Sequence, residues 1–134
     1  MDRDVILVAE DNEDDAFFMR RAFDEAGLRN PFLIVPNGQA AINYLAGVGD
    51  YRDRTKYPQA TFVFLDLKMP FKSGFDVLAW LKERRDLKVR AAVLSSSPEE
   101  RDMARARELG AVCYLIKPPT PEMLKSCWEQ FELS

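Results

Sequence analysis

The chain has 134 residues, a length that suits one domain, and its 47% apolar and 31% charged content is ordinary for a globular protein. The net charge of −3 is spread along the chain with no basic stripe to suit nucleic acid, no apolar run reaches the roughly 20 residues that cross a bilayer, and the acidic start Met1-Asp2-Arg3-Asp4 is unlike a signal peptide. Histidine is absent, which excludes His-based acid–base catalysis, His-activated nucleophiles and His metal ligands, so any metal must be a hard cation held by oxygen.

Strand-like and helix-like patterns alternate from end to end. The first strand is expected at 4–9, ending in Glu10-Asp11. A helix follows over 13–26, with Asp14 and Asp15 in an acidic first turn favoured by the helix dipole, and Gly27 suits its C-terminal cap. A short strand at 32–35 leads to Asn37, which can cap a helix reaching Ala46 with Ala41, Ile42 and Leu45 on its apolar face. The connection 47–60 is longer than usual and reads as a plain surface loop.

The third strand, 61–65, runs into Asp66-Leu67-Lys68-Met69-Pro70. Ser73 and Asp76 have the spacing of a capping box, opening a helix that carries Phe75, Leu78 and Leu81 inward. A strand at 89–94 is followed by Ser97-Pro98-Glu99-Glu100, which reads as a second and stronger cap. The helix it opens is sparse in apolar anchors: Met103, Ala104 and Leu109. The fifth strand, 112–116, ends at Lys117, and Thr120-Pro121 starts a last helix with Met123, Leu124, Cys127, Trp128 and Phe131 on one face. Cys113 and Cys127 lack metal-ligand spacing and read as packing residues.

Five β-α pairs with near-continuous apolar strands predict an α/β, doubly wound, three-layer fold with a parallel five-stranded sheet. No glycine-rich fingerprint follows the first strand, so the flavodoxin-like order 2-1-3-4-5 is expected, with ligands at the carboxyl ends of the strands. Those ends carry Glu10-Asp11, Asp66, Ser95 and Lys117. Two carboxylates about 4 Å apart repel by roughly 4 kcal/mol at an effective dielectric near 20, so gathered acids need a positive partner. Mg²⁺ with oxygen ligands fits, as does Lys117. A carboxylate nucleophile, a metal cradle, a fixed ammonium and a hydroxyl together suit phosphoryl transfer onto Asp66.

These residues carry a family resemblance. Glu10-Asp11, Asp66 in Leu-Asp-Leu-Lys-Met-Pro, Gly74, Ser95 and Lys117-Pro118, in this order, resemble the receiver domain of two-component response regulators over nearly the whole chain. The resemblance implies that Asp66 is the phosphoacceptor and that Glu10, Asp11, Asp66 and the backbone carbonyl of Lys68 hold Mg²⁺. It implies that Lys117 contacts the phosphoryl oxygens, that the Lys117-Pro118 bond is cis, and that Ser95 and Tyr114 are the switch pair. Lys68 and Ser97 fall where side chains tune the phosphoryl lifetime. The long 47–60 connection and Pro118-Pro119 resemble the small single-domain regulators, including those paired with phytochrome-type kinases.

The expectation is therefore a single receiver domain over 1–134 without an output domain, cytoplasmic, acting as a phosphoacceptor and not as an enzyme. Its phosphoryl donor would be a separate histidine kinase or histidine phosphotransfer protein, because the chain has no histidine. Its target is an unidentified protein met through the fourth helix, fifth strand and fifth helix, a face that could also serve a homodimer. Two rivals stand beside this reading. One is a Mg²⁺-dependent aspartyl phosphohydrolase, disfavoured because Lys68 stands where a general acid would be wanted; the other is a phosphorylation-independent adaptor.

Overall fold

The computed structural model describes residues 4–133. The start at 1–3, on which much of the expectation of no leader rests, lies outside them. In chain order the elements are β1 (Val5–Ala9), α1 (Glu13–Glu25), β2 (Phe32–Val35), α2 (Gly38–Ala46), β3 (Ala60–Leu65), α3 (Gly74–Glu83), β4 (Arg90–Ser95), α4 (Glu100–Glu108), β5 (Cys113–Ile116) and α5 (Pro121–Leu133). The strands are parallel and ordered β2-β1-β3-β4-β5, the doubly wound order expected.

Period-two alternation divides the strand residues between two helical layers. Leu7, Ala9, Val63, Leu65 and Val93 face one layer, where Ala41, Tyr44 and Leu45 of α2, Val77 and Leu78 of α3, and Ala106 of α4 are buried with them. Ile6, Val8, Phe62, Phe64, Ala92 and Leu94 face the other, against Met19 and Phe23 of α1 and Leu124, Cys127, Trp128 and Phe131 of α5. Phe62 stacks on Phe131 with ring centroids 5.0 Å apart and meets Trp128 at 4.4 Å. Each such ring contributes roughly 1.5–3 kcal/mol through burial. Both faces being covered is why the strands read as apolar runs.

Two of the three expected N-caps form, at Asn37 and Ser73, and Asn12 supplies one that was not expected. The Asn12 side chain accepts from the Asp15 N–H at 3.0 Å, and Asn37 accepts from the Ala40 N–H at 2.7 Å. Ser73 and Asp76 close a reciprocal capping box. The third is corrected: Ser97 does not cap α4, whose N-cap is Glu99 without a side-chain bond. Ser97 instead donates its hydroxyl to Asp102 at 2.7 Å, and its carbonyl is taken by Tyr114. The anchors of α4 also differ. Ala106 is its one fully buried residue among those described, Met103 and Leu109 are half-buried, and Ala104 faces solvent.

The connection after α2 is not a plain surface loop. A 3₁₀ turn, Gly49–Tyr51, brings Tyr51 and Tyr57 against the buried Tyr44, with ring centroids 5.1–6.1 Å apart. The Arg54 guanidinium donates to the carbonyls of Tyr57 and Leu45 and to the Gln59 side chain, and lies 5.6 Å from the Tyr44 ring centre. The loop thus carries a small core of its own. No helix among the described residues is long and apolar enough to cross a membrane.

Candidate functional site

The sheet ladder runs one residue beyond the strands and so sets the site. The Glu10 N–H donates to the Val35 carbonyl (3.0 Å), the Asp66 N–H to the Ala9 carbonyl (3.1 Å) and the Lys117 N–H to the Ser95 carbonyl (2.9 Å). Three ionisable residues are thereby held at the carboxyl edge of β1, β3 and β5, around the switch point where the strand order reverses.

Their side chains converge. The Lys117 ammonium donates to Glu10 Oε1 at 2.5 Å, to Asp15 Oδ2 at 2.9 Å and to Asp66 Oδ2 at 3.0 Å. The other Asp66 oxygen, Oδ1, accepts from the Lys68 N–H at 3.3 Å. Glu10, Asp11 and Asp66 each present a carboxylate oxygen, all within 4.8 Å of one another. Glu10 is buried, Asp66 half-buried and Asp11 exposed, so the group opens to solvent on the Asp11 side. Four carboxylates against one ammonium leave three negative charges uncompensated when all are ionised. An oxygen-only donor set with surplus negative charge suits a hard divalent cation.

Burial pushes the Glu10 carboxyl up to about 7; the nearby Asp66 charge adds to this, while the hydrogen bond from Lys117 opposes it. Burial works against the Lys117 ammonium, but its hydrogen bonds to Glu10, Asp15 and Asp66 outweigh that and raise its pKa. Lys117 therefore stays charged across the physiological range. The peptide bond that follows it, Lys117-Pro118, is cis.

Ser95 and Tyr114 stand on the neighbouring strands β4 and β5. Ser95 is buried at the end of β4, and its hydroxyl accepts from the Ser97 N–H at 3.1 Å. Tyr114 is half-buried on β5 and donates its hydroxyl to the Ser97 carbonyl at 2.8 Å.

Residues 6–128 match the model of the response regulator receiver domain. The chain belongs to this family. It is a receiver domain of two-component signalling. It is 33% identical over 114 residues to response regulator Rcp1 of Synechocystis sp., a match covering 84% of this chain and 76% of Rcp1. The solved Mn(2+)-bound form of Rcp1 is similar in fold with a TM-score of 0.78, at 30% identity over 94% of this chain and 90% of that one. The bacteriophytochrome response regulator AtBRR is similar with a TM-score of 0.87, at 29% identity, over 100% of this chain and 96% of AtBRR. The phosphorylated cyanobacterial phytochrome response regulator RcpA gives a TM-score of 0.80, at 29% identity over 98% of this chain and 95% of RcpA.

One residue of the receiver's acidic edge was not singled out from sequence. Asp15 appeared only as a helix-dipole residue, yet its carboxylate shares the Lys117 ammonium. Its only signal was its place in the first turn of α1, just past the β1 end that carries Glu10 and Asp11.

Proposed function

We infer that this receiver is a phosphoacceptor switch in which Asp66 takes a phosphoryl group from a histidine kinase or a histidine phosphotransfer protein. The observation that carries it is the Lys117 ammonium, 3.0 Å from Asp66 Oδ2 and beside the acidic group Glu10, Asp11 and Asp66. Glu10, Asp11, Asp66 and the Lys68 carbonyl would hold Mg²⁺, which supplies charge neutralisation for the incoming phosphoryl oxygens. The metal seen in Rcp1 and the phosphorylated state seen in RcpA belong to those proteins and support the reading by likeness.

An Asp66 carboxylate oxygen forms the new bond to phosphorus as the bond from phosphorus to the donor's imidazole nitrogen breaks. The product is an acyl phosphate. Lys117 is already in place for the phosphoryl oxygens, and the pre-set charge removes the need for reorganisation. The phosphoryl group adds about −1.5 to −2 charge and three acceptor oxygens. Ser95 then gives up its bond with the Ser97 N–H to donate toward those oxygens, and Tyr114 releases the Ser97 carbonyl and moves inward. The β4–α4 segment, held by those two bonds and by the Ser97–Asp102 bond, then rearranges together with α4, whose buried anchor is Ala106, and changes the α4–β5–α5 face offered to a partner protein or a second copy of the chain.

Incubation with Mg²⁺ and acetyl phosphate, read by intact mass, tests this. One added phosphoryl group is expected, and none on Asp66→Asn. An unmodified native chain, or an equal adduct on the variant, would overturn it and favour a phosphorylation-independent adaptor.

A further inference from the structure

Away from the acidic edge, Cys113 on β5 and Cys127 on α5 meet across the boundary between sheet and helix. The Cys113 thiol donates to the Cys127 backbone carbonyl oxygen at 3.8 Å, which brings the two residues into contact. They are 14 positions apart in the chain. Cys113 is half-buried, whereas Cys127 is 2% exposed. Both line a cavity of about 340 Å³ whose wall also includes Met123, Ser126 and Gln130. That volume is ample for an oxidant the size of a peroxide.

The pair is chemically asymmetric. The neighbouring Cys127 side chain holds the Cys113 thiol below its ordinary value, although burial opposes this; the Cys113 side chain, with burial, pushes the Cys127 thiol up. Access governs which thiol meets an oxidant first, and Cys113 is the less buried of the two. The buried Cys127 is placed to resolve what forms there.

We propose that Cys113 and Cys127 form an oxidisable dithiol, converted by hydrogen peroxide to an intramolecular disulfide that joins β5 to α5. The Cys113 thiolate attacks one peroxide oxygen, the O–O bond breaks, and the hydroxide released takes up the proton that Cys113 lost. Cys113 is then a sulfenic acid. The Cys127 sulfur attacks the Cys113 sulfur, the S–O bond breaks, the S–S bond forms, and the second oxygen leaves as water with the Cys127 proton. Two thiols have lost two hydrogens and the peroxide has been reduced to two waters. The bridge would tie the strand of the α4–β5–α5 face to its helix.

The test uses the full chain, reduced and freed of reductant, then treated with hydrogen peroxide and mapped without reduction. Cleavage after Lys125 separates the two cysteines onto different peptides. The expected result is a monomer lighter by two hydrogens, a linked pair of peptides containing Cys113 and Cys127, and full reversal by dithiothreitol. Cys127→Ala is expected to stop at a sulfenic acid on Cys113, trapped by dimedone. The wild-type map stands even where that variant folds poorly. Thiols that stay reduced at peroxide levels that already oxidise exposed methionine, disulfides only between chains, or sulfenic acid accumulating on wild-type Cys113 would each overturn the proposal.

Discussion

Tyr114 donates its hydroxyl hydrogen bond to the carbonyl of Ser97, and Ser95 takes the N–H of the same residue. One residue of the β4–α4 segment is therefore gripped at both its backbone groups by the two side chains proposed to switch. Sequence alone set Ser97 the different task of capping α4.

Tyr114→Phe keeps the ring and removes the grip on the carbonyl. A loss of about 0.5–1.5 kcal/mol is expected, as for a typical protein hydrogen bond, read as a lower urea midpoint. Because both bonds hold one residue, Ser95→Ala and Tyr114→Phe should couple by about 0.5 kcal/mol or more in a double-mutant cycle. Strict additivity would separate the two side chains and remove the structural basis for their moving together.

Lys117→Met leaves the buried Glu10 facing Asp15 and Asp66 with no ammonium between them. Breaking so largely buried a set is expected to cost about 3 kcal/mol in metal-free buffer, measured by denaturant unfolding. Mg²⁺ should return part of that stability, while phosphorylation by acetyl phosphate is lost. Unchanged stability in chelator would show that Lys117 does not hold the acids together.

The Glu10 carboxyl predicts a pH trend for the metal-free chain. Burial raises it from 4.5 to about 7, so folded Glu10 binds its proton more tightly than the unfolded chain does. Its contribution to stability is complete below pH 4.5 and is lost as the pH rises through about 7. In chelator the unfolding temperature should drift down over that window relative to Glu10→Gln. With Mg²⁺ the trend should shrink or reverse, because the cation binds the ionised carboxylate and affinity climbs with pH up to the same value. Parallel pH profiles for native chain and variant in chelator would contradict the shift.

Two glycines hold the β3–α3 turn in place. A Cβ on Gly74 would collide with the Asp66 carbonyl oxygen, and one on Gly38 would collide with the Lys72 carbonyl oxygen and sit 2.9 Å from the Lys72 Cβ. The turn cannot easily give way: Phe71 and Lys72 already have φ of 50° and 91°, and the Phe71 carbonyl accepts from the Gln39 N–H at 2.7 Å. Alanine at either position should destabilise by about 1–3 kcal/mol, outweighing the better helix propensity of alanine at these first-turn sites. Gly74→Ala presses directly on the Asp66 backbone and should also slow phosphorylation more than Gly38→Ala at equal folded fraction. Wild-type rates in both variants would show that the turn does not position Asp66.

The strand ends were legible because an apolar run broken by an acid or a lysine is a local signal. So were the caps at Asn37 and Ser73, where donor and acceptor lie within three residues of each other. The doubly wound order followed from alternating elements and a missing glycine fingerprint. From these came Glu10, Asp11, Asp66 and Lys117 as one group, and the absence of histidine placed any phosphohistidine donor outside the chain. Other features needed tertiary structure, because they depend on how far a helix is rotated on the sheet or on which segments the sheet order makes neighbours. Asp15 meets Lys117 across 102 positions of chain, Ala106 rather than Ala104 anchors α4, and Tyr51 and Tyr57 fold back on Tyr44. Ser97 had the local pattern of a cap, but its hydroxyl went to Asp102 and its carbonyl to Tyr114. A capping signal is worth about 1 kcal/mol, and two well-formed hydrogen bonds elsewhere are enough to outweigh it.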